Sequence, residues 1–173
     1  MQSFEGRIAV VTGGASGMGR ELVLQLAAEG CHVAMCDVSA DHMDETAALA
    51  VEDAPGGIDL TMFVADVSDE HAMHRFAAHV RDRFDTEAVH LLFNNAGVAA
   101  PSANVWDTTP NDWKWVHGVN VMGVVHGIQS FVPRMIAGGE EGEDGRTKLR
   151  VLINPEIEVL DEDYTLGMYE GCL

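Results

Sequence analysis

Basic residues are scarce in this chain. Ten Lys and Arg face 28 Asp and Glu, a formal net charge of −18 over 173 residues. So acidic a surface argues against nucleic acid and against an anionic membrane as partners. Cysteine is also rare: Cys31, Cys36 and Cys172 are too far apart to suggest a disulfide framework. Cys31 and Cys36 flank a predicted strand and read as small core residues. No apolar run reaches the roughly 18 residues that cross a bilayer. The opening Met-Gln-Ser-Phe-Glu has neither the charge nor the apolar stretch of a signal peptide, so a cytoplasmic location is expected. The chain has eight histidines but no His-Glu-x-x-His. His71, His74 and His79 share one predicted helix without an i, i+4 pair, which favours structural histidines over a metal site.

At 47% hydrophobic residues and this length, the chain suits one domain with a sizeable core. The most informative stretch is Thr12-Gly-Gly-Ala-Ser-Gly-Met-Gly19, directly after the apolar run Arg7-Ile-Ala-Val-Val11. An amphipathic stretch, Arg20 to Gly30, follows it. Strand, glycine turn and helix N-terminus together make a diphosphate site, because free backbone N–H groups and the positive end of the helix dipole point at the anion. Glycines remove the side chains that would hold phosphate away. The coarse order downstream is strand (32–37), helix (41–51), strand (59–65), helix (69–84), strand (90–93), long helix (112–136) and a fifth strand (149–154). Alternation of this kind predicts an α/β fold: a doubly wound parallel sheet between two helical layers, joined by right-handed crossovers. Thr109-Pro-Asn-Asp112 is a strong start for the long helix, with a capping Thr, Pro at the first helical position and an acid in the first turn. The tryptophans Trp106, Trp113 and Trp115 are expected to seat that start, with one of them bordering a substrate cleft. His126 reads as a packing residue beside the sheet.

Gly13, Gly17 and Gly19 have the spacing G-x-x-x-G-x-G. With Thr12 before them, that pattern resembles the short-chain dehydrogenase/reductase family. Asp37 ends the second strand, Asp66-Val67 follows the third, Asn94-Asn-Ala-Gly97 follows the fourth, and Asn120 lies in the long helix. Together the resemblance covers about residues 5–140 and implies a Rossmann-type fold with a dinucleotide cofactor. It implies that Gly13, Ser16, Gly17, Met18 and Gly19 cradle the cofactor. Asp37 would accept the adenosine ribose hydroxyls and repel a 2′-phosphate, favouring NAD over NADP. Ser16 points the same way, since NADP-preferring members often carry a basic residue there. Asp37 also suits a solvated strand end or a helix cap. By the same resemblance Asp66 and Val67 lie against the adenine. Asn94, Ala96 and Gly97 support the sheet and line the nicotinamide-ribose side, and Asn120 helps hold a water in the proton relay. The implied reaction moves hydride between nicotinamide and a small alcohol or carbonyl substrate, and a homo-oligomer is compatible with it.

The family's catalytic Ser and its Tyr-x-x-x-Lys are not where the pattern expects them. Ile157 stands at the Ser position, Tyr164 is followed four later by Met168, and Tyr169 by Leu173. Residues 141–148 form an acidic, glycine-rich junction. Beyond it, Arg150-Val-Leu-Ile-Asn-Pro-Glu-Ile157 and Tyr169-Glu-Gly-Cys-Leu173 resemble part of a peptide deformylase, a family whose Cys and two histidines hold a catalytic metal. The reading is therefore a dinucleotide-binding unit over 1–140, a junction over 141–148, and a possible fifth strand with a deformylase-like tail over 149–173. The expected fold is truncated after about the fifth strand. Three functions follow: an oxidoreductase of the short-chain dehydrogenase type, incomplete for want of its Tyr and Lys; a non-catalytic dinucleotide-binding fragment or pseudoenzyme; and a fragment of a deformylase-like metal hydrolase.

Overall fold

The protein is described here by a computed structural model that covers residues 4–100 and 104–137. Four strands, β1 (Ile8–Thr12), β2 (His32–Asp37), β3 (Leu60–Val64) and β4 (Leu91–Phe93), alternate with helices α1 (Gly17–Ala28), α2 (Ala40–Asp53) and α3 (Glu70–Phe84). After β4 come a 3₁₀ turn (Val105–Asp107), α4 (Pro110–His117), a π-helical turn (Gly118–Met122) and α5 (Gly123–Ala137). All strand pairs are parallel. Val10 lies opposite Ala34 on one side and Leu92 on the other, and Met35 lies opposite Met62. The expected doubly wound parallel sheet is therefore present. The segment expected as a fifth strand, 149–154, and the deformylase-like segment lie outside the described residues.

The strand order is β3-β2-β1-β4. The chain steps outward from β1 to β3, then returns through α3 to the far side of β1. Successive connections leave β1 and β4 in opposite directions, and a crevice opens beyond their carboxyl ends. Strand periodicity divides the core between the two faces. Val10, Ala34 and Cys36 pack with Met73, Phe76, Val80 and Phe131 from α3 and α5. Ala9, Val11, Val33 and Met35 pack with Val23, Leu26 and Met43 from α1 and α2. Every residue of β1 is buried, as helices on both faces require. Each such Val contributes about 1.5–3 kcal/mol relative to an exposed side chain.

Helix starts follow local chemistry. Ser39 Oγ accepts the His42 N–H at the start of α2, and Asp69 Oδ1 accepts the His71 N–H at the start of α3. At α4, Thr109 and Asp112 form a reciprocal capping box with Pro110 at the first helical position, as the sequence predicts.

The long helix expected over 112–136 is corrected in one respect. It runs unbroken through residues 110–137, as α4, the π turn and α5 in succession, but the turn that carries Asn120 is π rather than α. The side chain of Asn120 is bonded to the backbone of Val98, a link outside any helical period. At the other end of the turn Gly123 sits so close to Val67 that an added Cβ would lie 2.6 Å from its Cγ2. Those two fixed contacts are accommodated by one widened turn. Trp106, Trp113 and Trp115 are all exposed, Trp106 at 79%. Trp113 is tied to the helix start, its Nε1–H donating to Thr108 Oγ1 at 2.9 Å.

Candidate functional site

The crevice beyond β1 and β4 is built around the turn 12–19. Thr12 is buried at the end of β1, and its hydroxyl donates to Phe93 O (3.4 Å) and accepts the Ala96 N–H (3.1 Å). The two strand ends are thereby tied side to side. Gly13 then turns the chain with φ +69°, and the N–H groups of Gly13 and Gly14 both donate to Cys36 O, at 2.8 and 3.2 Å. A Cβ on Gly13 would lie 2.8 Å from Ala96 Cα, and one on Gly14 would lie 2.7 Å from Met35 Cβ. Gly19 is closer still to its neighbours: a Cβ there would overlap Gly13 O and stand 2.5 Å from Asn95 Nδ2. These three glycines let the first turn of α1 sit flat on the strand ends.

Gly17 differs. It has φ +54°, and nothing lies within 4 Å of an added Cβ. Its missing side chain serves open space at the mouth of the crevice. Here α1 begins with Ser16 as N-cap, which is extended and makes no side-chain cap bond, and no acid occupies the first turn. The N–H groups of a helix's first turn have no partner within the helix. Exposed Ser16, Gly17 and Met18 thus frame an uncapped, positively polarised helix end. That is the cradle an anionic diphosphate fits.

Asp37 stands at the adjoining end of β2. Its Oδ2 accepts the Ala15 N–H and its Oδ1 the Ser39 N–H, each at 3.1 Å. One donor on each oxygen leaves further acceptor capacity toward the crevice. The carboxylate thus ties the glycine turn to the start of the segment that leads into α2. Directly behind it Cys36 is fully buried. Burial, then the Asp37 charge, pushes its thiol up to about 12, so it stays a neutral core group.

The remaining expected residues divide. Ala96 lies against Gly13, and exposed Gly97 follows it. Asn94 Oδ1 is buried without a hydrogen-bond partner, and Gly127 of α5 is so close that a Cβ there would overlap it. Asp66 is exposed and accepts the Ser68 N–H at 2.8 Å. Val67 is only 6% exposed, and its side chain belongs to the core beside α5 rather than to an open surface. Its carbonyl meets His126 Nδ1 at 2.9 Å, so His126 is a buried packing residue bonded to the end of the β3 loop. Asn120 makes two bonds with Val98: Oδ1 accepts its N–H and Nδ2 donates to its carbonyl, both at 2.8 Å. The amide thus holds the segment that leaves β4.

Three contributors escape the motif reading. Asn95 is the member of its motif that reaches the glycine turn, with Nδ2 donating to Thr12 O (3.0 Å) and Gly13 O (3.2 Å). Arg20 and Thr46 both donate to Ala15 O. The sequence signal for Asn95 was adjacency to Asn94. For Arg20 and Thr46, far apart in the chain, there was none.

A profile described as short chain dehydrogenase matches residues 7–146. The chain belongs to the short-chain dehydrogenase family. The C alpha-dehydrogenase of Sphingobium sp. is 37% identical over 143 residues, 82% of this chain and 45% of that protein. A short-chain dehydrogenase/reductase from Burkholderia phymatum, solved in complex with NAD, superposes with a TM-score of 0.73 at 37% identity, covering 81% of this chain and 48% of that one. A metagenomic short-chain oxidoreductase in complex with NADP gives a TM-score of 0.71 at 26% identity, covering 79% and 59%. The chain spans about half the length of the curated relatives it matches. The Rossmann-type layering and a site for a nicotinamide dinucleotide are properties of this family, of which one of the solved members above holds NAD and another NADP. Among the described residues no helix is long and apolar enough to cross a membrane.

Proposed function

We propose that this short-chain dehydrogenase chain binds NAD(H) in preference to NADP(H), as the dinucleotide-binding part of an oxidoreductase acting on an alcohol or carbonyl. The observation that carries the proposal is the pairing of an uncapped α1 N-terminus at Gly17 with the Asp37 carboxylate at the next strand end. The diphosphate would rest on the first-turn N–H groups of Gly17, Met18 and Gly19, with the Ser16 hydroxyl beside them. The ribose hydroxyls would donate to Asp37, and a 2′-phosphate would meet its charge. Asp66 would border the adenine with Val67 buttressing it from the core, and Asn94, Ala96 and Gly97 would border the nicotinamide ribose. When bound, the nicotinamide supplies or accepts hydride. Asn120 holds the segment around Val98 through its two amide bonds and would stand beside the reacting region.

The test is titration of the purified chain with NADH and NADPH, compared with Asp37→Ala. The unaltered chain should bind NADH at least about tenfold more tightly. In the variant both affinities fall, because Ala15 and Ser39 lose an acceptor, while the NADH preference shrinks toward unity. Tighter binding of NADPH by the unaltered chain would sink the assignment. A second reading, dinucleotide binding without turnover, is favoured by the lack of any Tyr-x-x-x-Lys in residues 138–173. NADH oxidation with a panel of ketones distinguishes the two.

A further inference from the structure

We propose that Arg20 and Thr46 act as a clamp that aims the Ser16 N–H into the diphosphate cradle; this rests on the dinucleotide reading above. The clamp converges on one carbonyl. Ala15 O accepts from Arg20 Nε (3.1 Å), Arg20 Nη2 (2.8 Å) and Thr46 Oγ1 (3.1 Å). Thr46 is fully buried, and it also accepts from Arg20 Nε at 2.9 Å. The outer side of the guanidinium is held by Glu45 Oε2 at 3.0 Å and by His42 O at 3.4 Å. On the other side of the same residue, the Ala15 N–H is held by Asp37. Two guanidinium N–H groups on one backbone oxygen, with the single Thr46 hydroxyl proton shared between Ala15 O and His42 O (3.0 Å), exceed what a turn carbonyl needs for satisfaction. So dense a set fixes an orientation.

The consequence follows from peptide geometry. The chain has no cis bond among the described residues. In a trans peptide the C=O and the next N–H point in opposite directions. Drawing Ala15 O toward Arg20 and Thr46 therefore turns the Ser16 N–H away from them and toward the open side of the turn, where Gly17 leaves space. Arg20 is the first α1 residue whose own N–H closes a helical bond, to Ser16 O at 3.1 Å. The guanidinium thus reaches back across the turn that its backbone completes. Its charge is engaged by Glu45 and the carbonyls, so its part is to position the turn rather than to pair with phosphate. Because Thr46 lies on α2, the clamp also couples that helix to the cradle.

Arg20→Ala, Arg20→Lys and Thr46→Val are compared with the unaltered chain in titrations with NADH and, by NMR, with adenosine, which lacks phosphate. Arg20→Ala should weaken NADH binding about tenfold and Thr46→Val about threefold, with adenosine affinity changed less than about twofold. Arg20→Lys, with one donor head in place of the fork, should recover part of the loss. Equal weakening of NADH and adenosine would make the pair merely structural and overturn the proposal, as would unchanged NADH affinity in all three variants. Should Arg20→Ala fail to fold, the Lys and Val variants decide the matter by the same ratio. Absence of binding of either ligand to the unaltered chain would instead overturn the dinucleotide reading, and this clamp with it.

Discussion

Replacing Gly17 by Ala separates the cost of a strained backbone from the cost of a blocked cradle. In the free protein the new Cβ meets no atom within 4 Å, so no clash contributes. The φ of +54° remains, and holding an L-residue there costs about 1–2 kcal/mol. In a chain of this size 1 kcal/mol corresponds to about 2–4 °C in melting temperature, so the free variant should melt roughly 2–8 °C lower. Binding behaves differently. At about 100 times its Kd, a ligand adds about 2.7 kcal/mol of stability, or roughly 5–11 °C on the same scale. In Gly17→Ala the Cβ stands where phosphate must approach the N–H groups, and at the same NADH concentration that rise should fall below about 2 °C. Gly19→Ala is the contrasting case. Its Cβ overlaps Gly13 O, a backbone atom that cannot swing aside, so the free protein should lose more than Gly17→Ala does. Circular dichroism melts with and without NADH read both quantities. Full NADH stabilisation of Gly17→Ala would refute the placement of the diphosphate at this turn.

Two further outcomes follow from the described groups. Cys36, held up to about 12, and Cys31, pushed up to about 11 mainly by burial, should resist iodoacetamide at pH 8 in the native chain and label only on unfolding, as peptide mass mapping would show; rapid native labelling would mean that the β2 core opens. The Asp112 carboxyl is lowered by the hydroxyl and N–H of Thr109. A carboxyl lowered on folding stabilises the native state above its unfolded pKa of about 3.9 and loses that contribution as pH falls through the lower folded value. Thr109→Ala should therefore destabilise the chain near neutrality, and the gap to the unaltered chain should narrow in acid; a gap that is constant down to about pH 2 would count against the capping box.

Much of the site was legible because its parts are local. A glycine turn between a buried strand and a helix is specified by neighbours in sequence, and so is the capping box at Thr109. The parallel sheet was legible from alternation alone, since strands covered on both faces read as continuous apolar runs such as Ile8–Thr12. Where local rules misled, a distant contact had intervened. The π turn in the long helix was not foreseen because nothing near Asn120 in sequence announces a bond to Val98, 22 residues earlier.

The sequence by itself determined the layered α/β class, the position of the glycine turn and the acid at the end of β2, because strand period, glycine spacing and strand length all act over a few residues. Only the tertiary structure decided how that turn is held. Ala15 is gripped by Asp37 from β2, Thr46 from α2 and Arg20 from α1, and Thr12 and Asn95 lock the ends of β1 and β4 together. These partners are 5 to 84 residues apart. Their meeting depends on strand order and helix placement, which the packing of the whole core sets and no short pattern encodes.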